Sequence, residues 1–180
     1  MSTITITRSY DVRQTLPRVM KLNRATTIEV GERIDYTQSY VSKLMHGKTA
    51  LKFESIESLL EALPDQNEYL AMDIAYQMTG ITPPVANGPG IKDEVGNYAH
   101  RSIRELKEAI VALMDSDDEF ETPAELVKNR QDPEKAIDEL LDVVFVAQNA
   151  TVRMCHEYDY SLQERMARRK KVWKMNMLVR

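Results

Sequence analysis

The chain has 180 residues, enough for one large domain or two small ones, and its 43% hydrophobic content with few Gly and Pro is that of a globular protein. It has no run of about 18 apolar residues to span a membrane, and one cysteine, Cys155, excludes an internal disulfide framework and fits a reducing cytoplasm. A net charge of −4 excludes a protein that holds DNA through bulk positive charge alone.

The first residues, MSTITITRSYD, lack the apolar core and small-residue cleavage site of a signal peptide; Ile4 and Ile6 alternate with polar residues in a run the length of a frayed arm. Residues 10–23 read as a helix with Leu16, Val19, Met20 and Leu22 on one stripe and Pro17 near its first turns. Residues 27–48 read as two short helices and a tight turn. Ile28, Gly31, Arg33 and Ile34 fall on the first, and Asp35, Tyr36 and Thr37 make the turn. The second helix covers 38–45, with Thr37 as its N-cap and Gly47 as its stop. Val41 and Leu44 are three apart and face a core. Gln38, Ser39, Tyr40, Ser42 and Lys43, with Lys48 just beyond, are left for a groove.

The run from Glu32 to Lys48, E-R-I-D-Y-T-Q-S-Y-V-S-K-L-M-H-G-K, resembles the helix-turn-helix of phage Cro/CI repressors and Xre-like regulators. Asp35 stands where that family usually has Gly in the turn, and Gly31 where it usually has Ala. The resemblance implies double-stranded DNA as partner and no cofactor, with the second helix read into the major groove.

Residues 49–52 form a connection. A fourth helix follows at 53–63, with Ile56, Leu59, Leu60 and Leu63 at helical spacing, and a fifth at 68–78, with Leu70, Ile74 and Met78. Five short helices are the size of a repressor-type domain. Charge divides the same way: residues 1–53 carry nine basic against four acidic groups, and residues 54–80 carry six acidic and none basic. Residues 79–92 hold three Pro and three Gly and cannot continue a helix, which places a boundary between residues 1–86 and 87–180.

The second part is acidic and helical, with seventeen acidic against eight basic residues over 91–160. The pattern predicts a helix over 95–114, a polar loop at 115–118, and a short helix over 123–128 capped by Thr122. A long helix follows to Met154, capped by Asp132 with Pro133 at its first position. Its centre, 137–147, is apolar nearly all round, which predicts burial between other helices, and Cys155 reads as a small core residue. A last helix over 162–174 begins at Asp159 or Ser161; residues 161–180 carry seven basic groups and one acidic. His100 and His156 have no partners at zinc spacing, His46 reads as a surface residue, and Trp173 as an anchor for the last helix.

Glu105 with Glu108, and Glu139 with Asp142, form two i, i+3 carboxylate pairs on two helices. Four such oxygens suit Mg²⁺. The stretches E-L-K-E-A-I-V-A (Glu105 to Ala112) and E-L-L-D-V-V-F-V-A-Q-N (Glu139 to Asn149) resemble the MazG-like all-α nucleoside triphosphate pyrophosphohydrolases over about residues 95–175. The resemblance implies Glu105, Glu108, Glu139 and Asp142 as Mg²⁺ ligands, Glu105 and Glu139 serving catalysis. It also implies Asn149 at the nucleotide, and Lys170, Lys171 or Arg168 at phosphate. Arg104 replaces an acid usual in that family, and thirty residues separate Glu108 from Glu139, a long connection. Phage regulators of the CII-like type also join a DNA-binding domain to an acidic helical segment, there used for oligomerisation. On that resemblance the apolar stripe over 136–154 is an interface.

The reading is an all-α protein, a five-helix repressor-like helix-turn-helix domain followed by a C-terminal helical bundle. Its expected work is transcriptional regulation in a phage or bacterium as a homodimer or higher homo-oligomer, joined through the C-terminal bundle, with a nucleoside triphosphate as a further candidate ligand of that bundle. The alternative is a Mg²⁺-dependent pyrophosphohydrolase of nucleoside triphosphates carrying a DNA-binding domain.

Overall fold

The computed structural model describes residues 4–180 and is all-α, with nine α-helices and one two-stranded ladder among those residues. Chain packing separates Met1–Asn87 from Gly88–Arg180. No helix of the described residues is long and apolar enough to cross a membrane.

In the first unit, β1 (Ser9–Tyr10) pairs antiparallel with β2 (Leu51–Lys52), and α1 (Leu16–Leu22) follows β1. The helix expected over 10–23 is therefore shorter at its start. Pro17 lies in the first turn, where its missing N–H costs nothing, and β1 takes Ser9 and Tyr10 out of the helix. The connection expected at 49–52 contributes β2 instead. Next come α2 (Thr27–Arg33) and α3 (Gln38–Met45). The fourth helix opens as a 3₁₀ turn at Phe53–Ser55 before α4 (Ile56–Ala62), and α5 (Glu68–Thr79) closes the unit. Val12, Leu16, Val19, Val30, Val41, Leu44, Leu51, Leu59, Leu63 and Leu70 are fully buried and form its core.

Polar clamps fix the order of these helices. Gln77 on α5 exchanges two hydrogen bonds with the backbone of Asp11, at 2.8 and 2.9 Å, and Asp73 accepts from Thr15 Oγ1 at 2.6 Å. Asn23 pairs in the same reciprocal way with the backbone of Asp65. The Arg33 guanidinium donates to the Ala62 carbonyl at 2.8 Å, satisfying an orphan acceptor at the end of α4.

In the second unit, α6 (Val95–Asp115) and α8 (Gln131–Glu157) pack along their length. Arg153 meets Asp93 at 3.3 Å while Glu105 lies beside Glu139, so the two helices run antiparallel. Tyr98, Ala109 and Ala112 of α6 and Ala136, Val146, Ala150, Val152 and Cys155 of α8 are buried. The short helix expected at 123–128 is absent, and α7 occupies Asp117–Glu121 instead. Three acids in its first turn suit the positive end of a helix, and Thr122 follows α7 as its C-cap, its hydroxyl donating back to Asp118 O at 2.8 Å, so it serves the helix before it. Asp132 does not cap α8. The cap position is Arg130, and Asp132 accepts from Asn129 Nδ2 at 2.9 Å within the first turn.

The expected burial of the centre of α8 is also corrected. Ile137 is 57% exposed and Leu141 56%, and Leu140 and Val144 are exposed too. Two antiparallel helices can cover only one side of each other. The last helix, α9 (Leu162–Met175), has Ser161 as N-cap, accepting from Glu164 N at 3.2 Å, and buries no residue.

Candidate nucleic-acid interface and acidic cluster

Local chemistry sets the two ends of α3. The Thr37 side chain accepts from Tyr40 N at 3.2 Å. At the other end Gly47 has φ +65°, Lys48 N donates to Lys43 O at 2.9 Å and Gly47 N to Leu44 O at 3.1 Å, a Schellman stop. Helix α2 starts with a reciprocal capping box that the sequence reading missed, although T-T-I-E at 26–29 carries it. Thr26 Oγ1 accepts from Glu29 N at 3.2 Å, and Glu29 accepts from Thr26 N at 2.7 Å. Those bonds from Thr26 hold the Glu29 carboxyl below its ordinary pKa.

The angle between α2 and α3 rests on two residues. Asp35 takes the left-handed conformation, φ +58°, in place of the usual glycine. Gly31 gives the turn room: its carbonyl accepts from Tyr36 N at 2.8 Å, and a Cβ there would lie 2.8 Å from Tyr36 O and 3.2 Å from Gln38 N. Val41 and Leu44 then anchor α3 in the core.

With that side fixed, Gln38, Ser39, Ser42, Lys43, His46 and Lys48 line one shallow hollow on the outer side. Tyr40 does not join them. Its ring stacks on Tyr36, centroids 4.3 Å apart, and burial raises the pKa of its phenol. Its i+4 partner Leu44 is in the core, and that spacing is the signal that separates Tyr40 from the groove residues. His46, read as an ordinary surface residue, is exposed in the hollow, its Nδ1 2.7 Å from Ser42 O.

In the second unit, carboxylate oxygens of Glu105, Glu139 and Asp142 come within 4.8 Å of one another. Glu105 is 6% exposed, Glu139 half-buried and Asp142 exposed. Glu108 is not part of this group. It lies 3.7 Å from Arg104 and faces a recess with Lys107, Val111, Lys135 and Glu139. Arg104 donates to Glu105 and is thereby held even more firmly protonated. A guanidinium thus occupies the charge-balancing role on the side where the family resemblance expects another acid. The oxygen donors suit a hard cation such as Mg²⁺, but one of the three is already paired.

Asn149 is buried and donates to Phe145 O of its own helix at 2.9 Å, so its amide is not presented at an open surface. Lys170, Lys171 and Arg168 are exposed on α9 and do not line the recess beside Glu139. Arg169 lies over Trp173, 5.9 Å from its ring centroid. Lys107 and Lys135, which the sequence reading passed over, bring positive charge to the carboxylates. Comparison with protein-family models, with curated proteins and with solved structures returns no match to this chain.

Proposed function

We propose that the protein is a sequence-specific DNA-binding regulator of phage or bacterial type. It works in the cytoplasm on double-stranded DNA and oligomerises through the second unit. One observation supports this most: α3 is capped at both ends, seated on α2 through Gly31, and presents Gln38, Ser39, Ser42 and Lys43 outward with Lys48 beside them. Amides and hydroxyls at these positions read base edges, Gln preferring adenine, and lysines meet guanine or phosphate; each bidentate pair discriminates by roughly 1–3 kcal/mol. Selection from randomised duplexes tests the reading. The wild type is expected to enrich one motif, and Gln38→Ala/Ser39→Ala to lose the preference while keeping its helical spectrum. Equal enrichment by both proteins refutes it.

The convergence of Glu105, Glu139 and Asp142 favours a second reading, a Mg²⁺-dependent nucleoside triphosphate pyrophosphohydrolase. Glu105, Glu139 and Asp142 would hold Mg²⁺, which would supply Lewis-acid polarisation of a phosphate. Glu139 and Asp142 are the ligands with open faces, and Lys107 and Lys135 line the same recess as Glu139. The Arg104–Glu105 pair and the displaced Glu108 make this the lesser reading. Pyrophosphate release that vanishes in Glu139→Gln supports it, and no release from any ribo- or deoxyribonucleoside triphosphate removes it.

A further inference from the structure

Helix α6 carries Leu106, Ile110 and Leu113, and α8 carries Ile137, Leu141 and Val144, all exposed. Each stripe repeats at four and then three residues, the spacing that lets side chains interlock between helices. At about 100° per residue, the α6 stripe lies a little over a quarter of a turn round from its contact line with α8, marked by Glu105, Ala109 and Ala112. The α8 stripe lies somewhat more than a third of a turn round, in the same sense, from Ala136, Val146 and Ala150. Because the helices are antiparallel, both rotations lead to the same side of the hairpin, and the two stripes form one face. Glu108 and Asp142 turn to the other side.

We infer that this face is the seat of a second copy of the chain, so that two α6/α8 hairpins close into a four-helix core around a two-fold axis. The inference rests on the oligomerisation part of the proposed function and specifies its surface. Six large apolar side chains at about half exposure present on the order of 500 Å² in one patch, at the upper end of what monomers leave open. A standard interface buries about 800 Å² from each partner, with a polar rim around an apolar centre, and this patch supplies such a centre. A two-fold pairing needs no further component, since the same stripes meet themselves. The basic helix α9 leaves this face open in its own chain: the six side chains stay exposed, and α9 buries no residue. The pairing leaves the carboxylate cluster uncovered on the opposite side.

Sedimentation of the full chain across micromolar concentrations tests this. The wild type is expected at twice the chain mass, with Ile110→Glu and Leu141→Glu monomeric and Met177→Glu, off the face, still dimeric. The two face variants should raise the dissociation constant by at least about thirtyfold, the effect of a central interface residue. Leu141→Glu mixed with Leu141→Lys should recover dimer. If the charged variants unfold, Ile110→Ser and Leu141→Ser read the same weakening. A monomeric wild type overturns the inference, and so does a folded Leu141→Glu that remains dimeric. Duplex selection is scored separately: a monomer that still enriches a DNA motif removes only the dimer, and a dimer that enriches none removes only the DNA reading.

Discussion

Replacing Gly31 by alanine sets two effects of known sign against each other. Glycine inside a helix is less favourable than alanine by about 0.8–1.0 kcal/mol, so propensity alone makes Gly31→Ala stabilising. The new Cβ, however, would meet Tyr36 O at 2.8 Å, and Thr37 C and Gln38 N each at 3.2 Å. All three are backbone atoms of the turn, so no side chain can rotate away. The turn must shift by a few tenths of an ångström, and forced backbone shifts of this kind cost typically about 1–3 kcal/mol. The steric cost should win by roughly 1 kcal/mol, which for a unit of this size lowers the melting temperature by about 4–8 °C. Because the displaced backbone carries Thr37 and Gln38, α3 should also tilt, which on the proposed DNA-binding reading weakens specific binding more than non-specific binding. Thermal unfolding and DNA titration of wild type, Gly31→Ala and Gly31→Val check this, with valine expected to be worse than alanine. A Gly31→Ala protein as stable as the wild type, with undiminished specific affinity, would refute the close approach of turn to helix.

Other consequences follow from the same contacts. Thr26→Ala removes the cap of α2 and should cost about 1 kcal/mol in urea unfolding. The pKa of Glu29 is depressed from 4.5 in the folded chain, so its stabilisation is present above that value and disappears as pH falls through the folded one; the gap between wild type and Glu29→Ala should therefore close in acid. Lys43→Ala and Lys48→Ala, if both lysines meet phosphate, should each lower the slope of log affinity against log salt by about 1, and an unchanged slope would take them off the DNA. Arg104→Ala leaves the buried Glu105 carboxylate without its cation and should lower the midpoint of urea unfolding. Arg104→Ala/Glu105→Gln should regain most of that, and a double variant as unstable as the single would show that the pair does not hold the cluster together.

How much of this was legible in sequence depended on how local each cause is. Helix α3 is written in its own residues: Thr37 caps it, Gly47 takes the left-handed stop, and Val41 and Leu44 set its inward side. The all-α class follows from the same short-range periodicity. The start of α1 moved because Tyr10 pairs with Leu51, far along the chain, in the two-stranded ladder, and Thr122 ends α7 because its hydroxyl donates back to Asp118 O. The convergence of Glu105 with Glu139 and Asp142, and the exclusion of Glu108, depended on tertiary structure, because the rotation of α6 against α8 is set by Ala109 and Ala112 packing on the partner helix. The inward turn of Tyr40, by contrast, was legible in its i+4 spacing to Leu44, and the stack on Tyr36 was not. The apolar centre of α8 marks the limit most clearly. Its composition says only that Ile137, Leu141 and Val144 must leave water; the two-helix hairpin decides that the chain's own helices cover the other side and leave these three open.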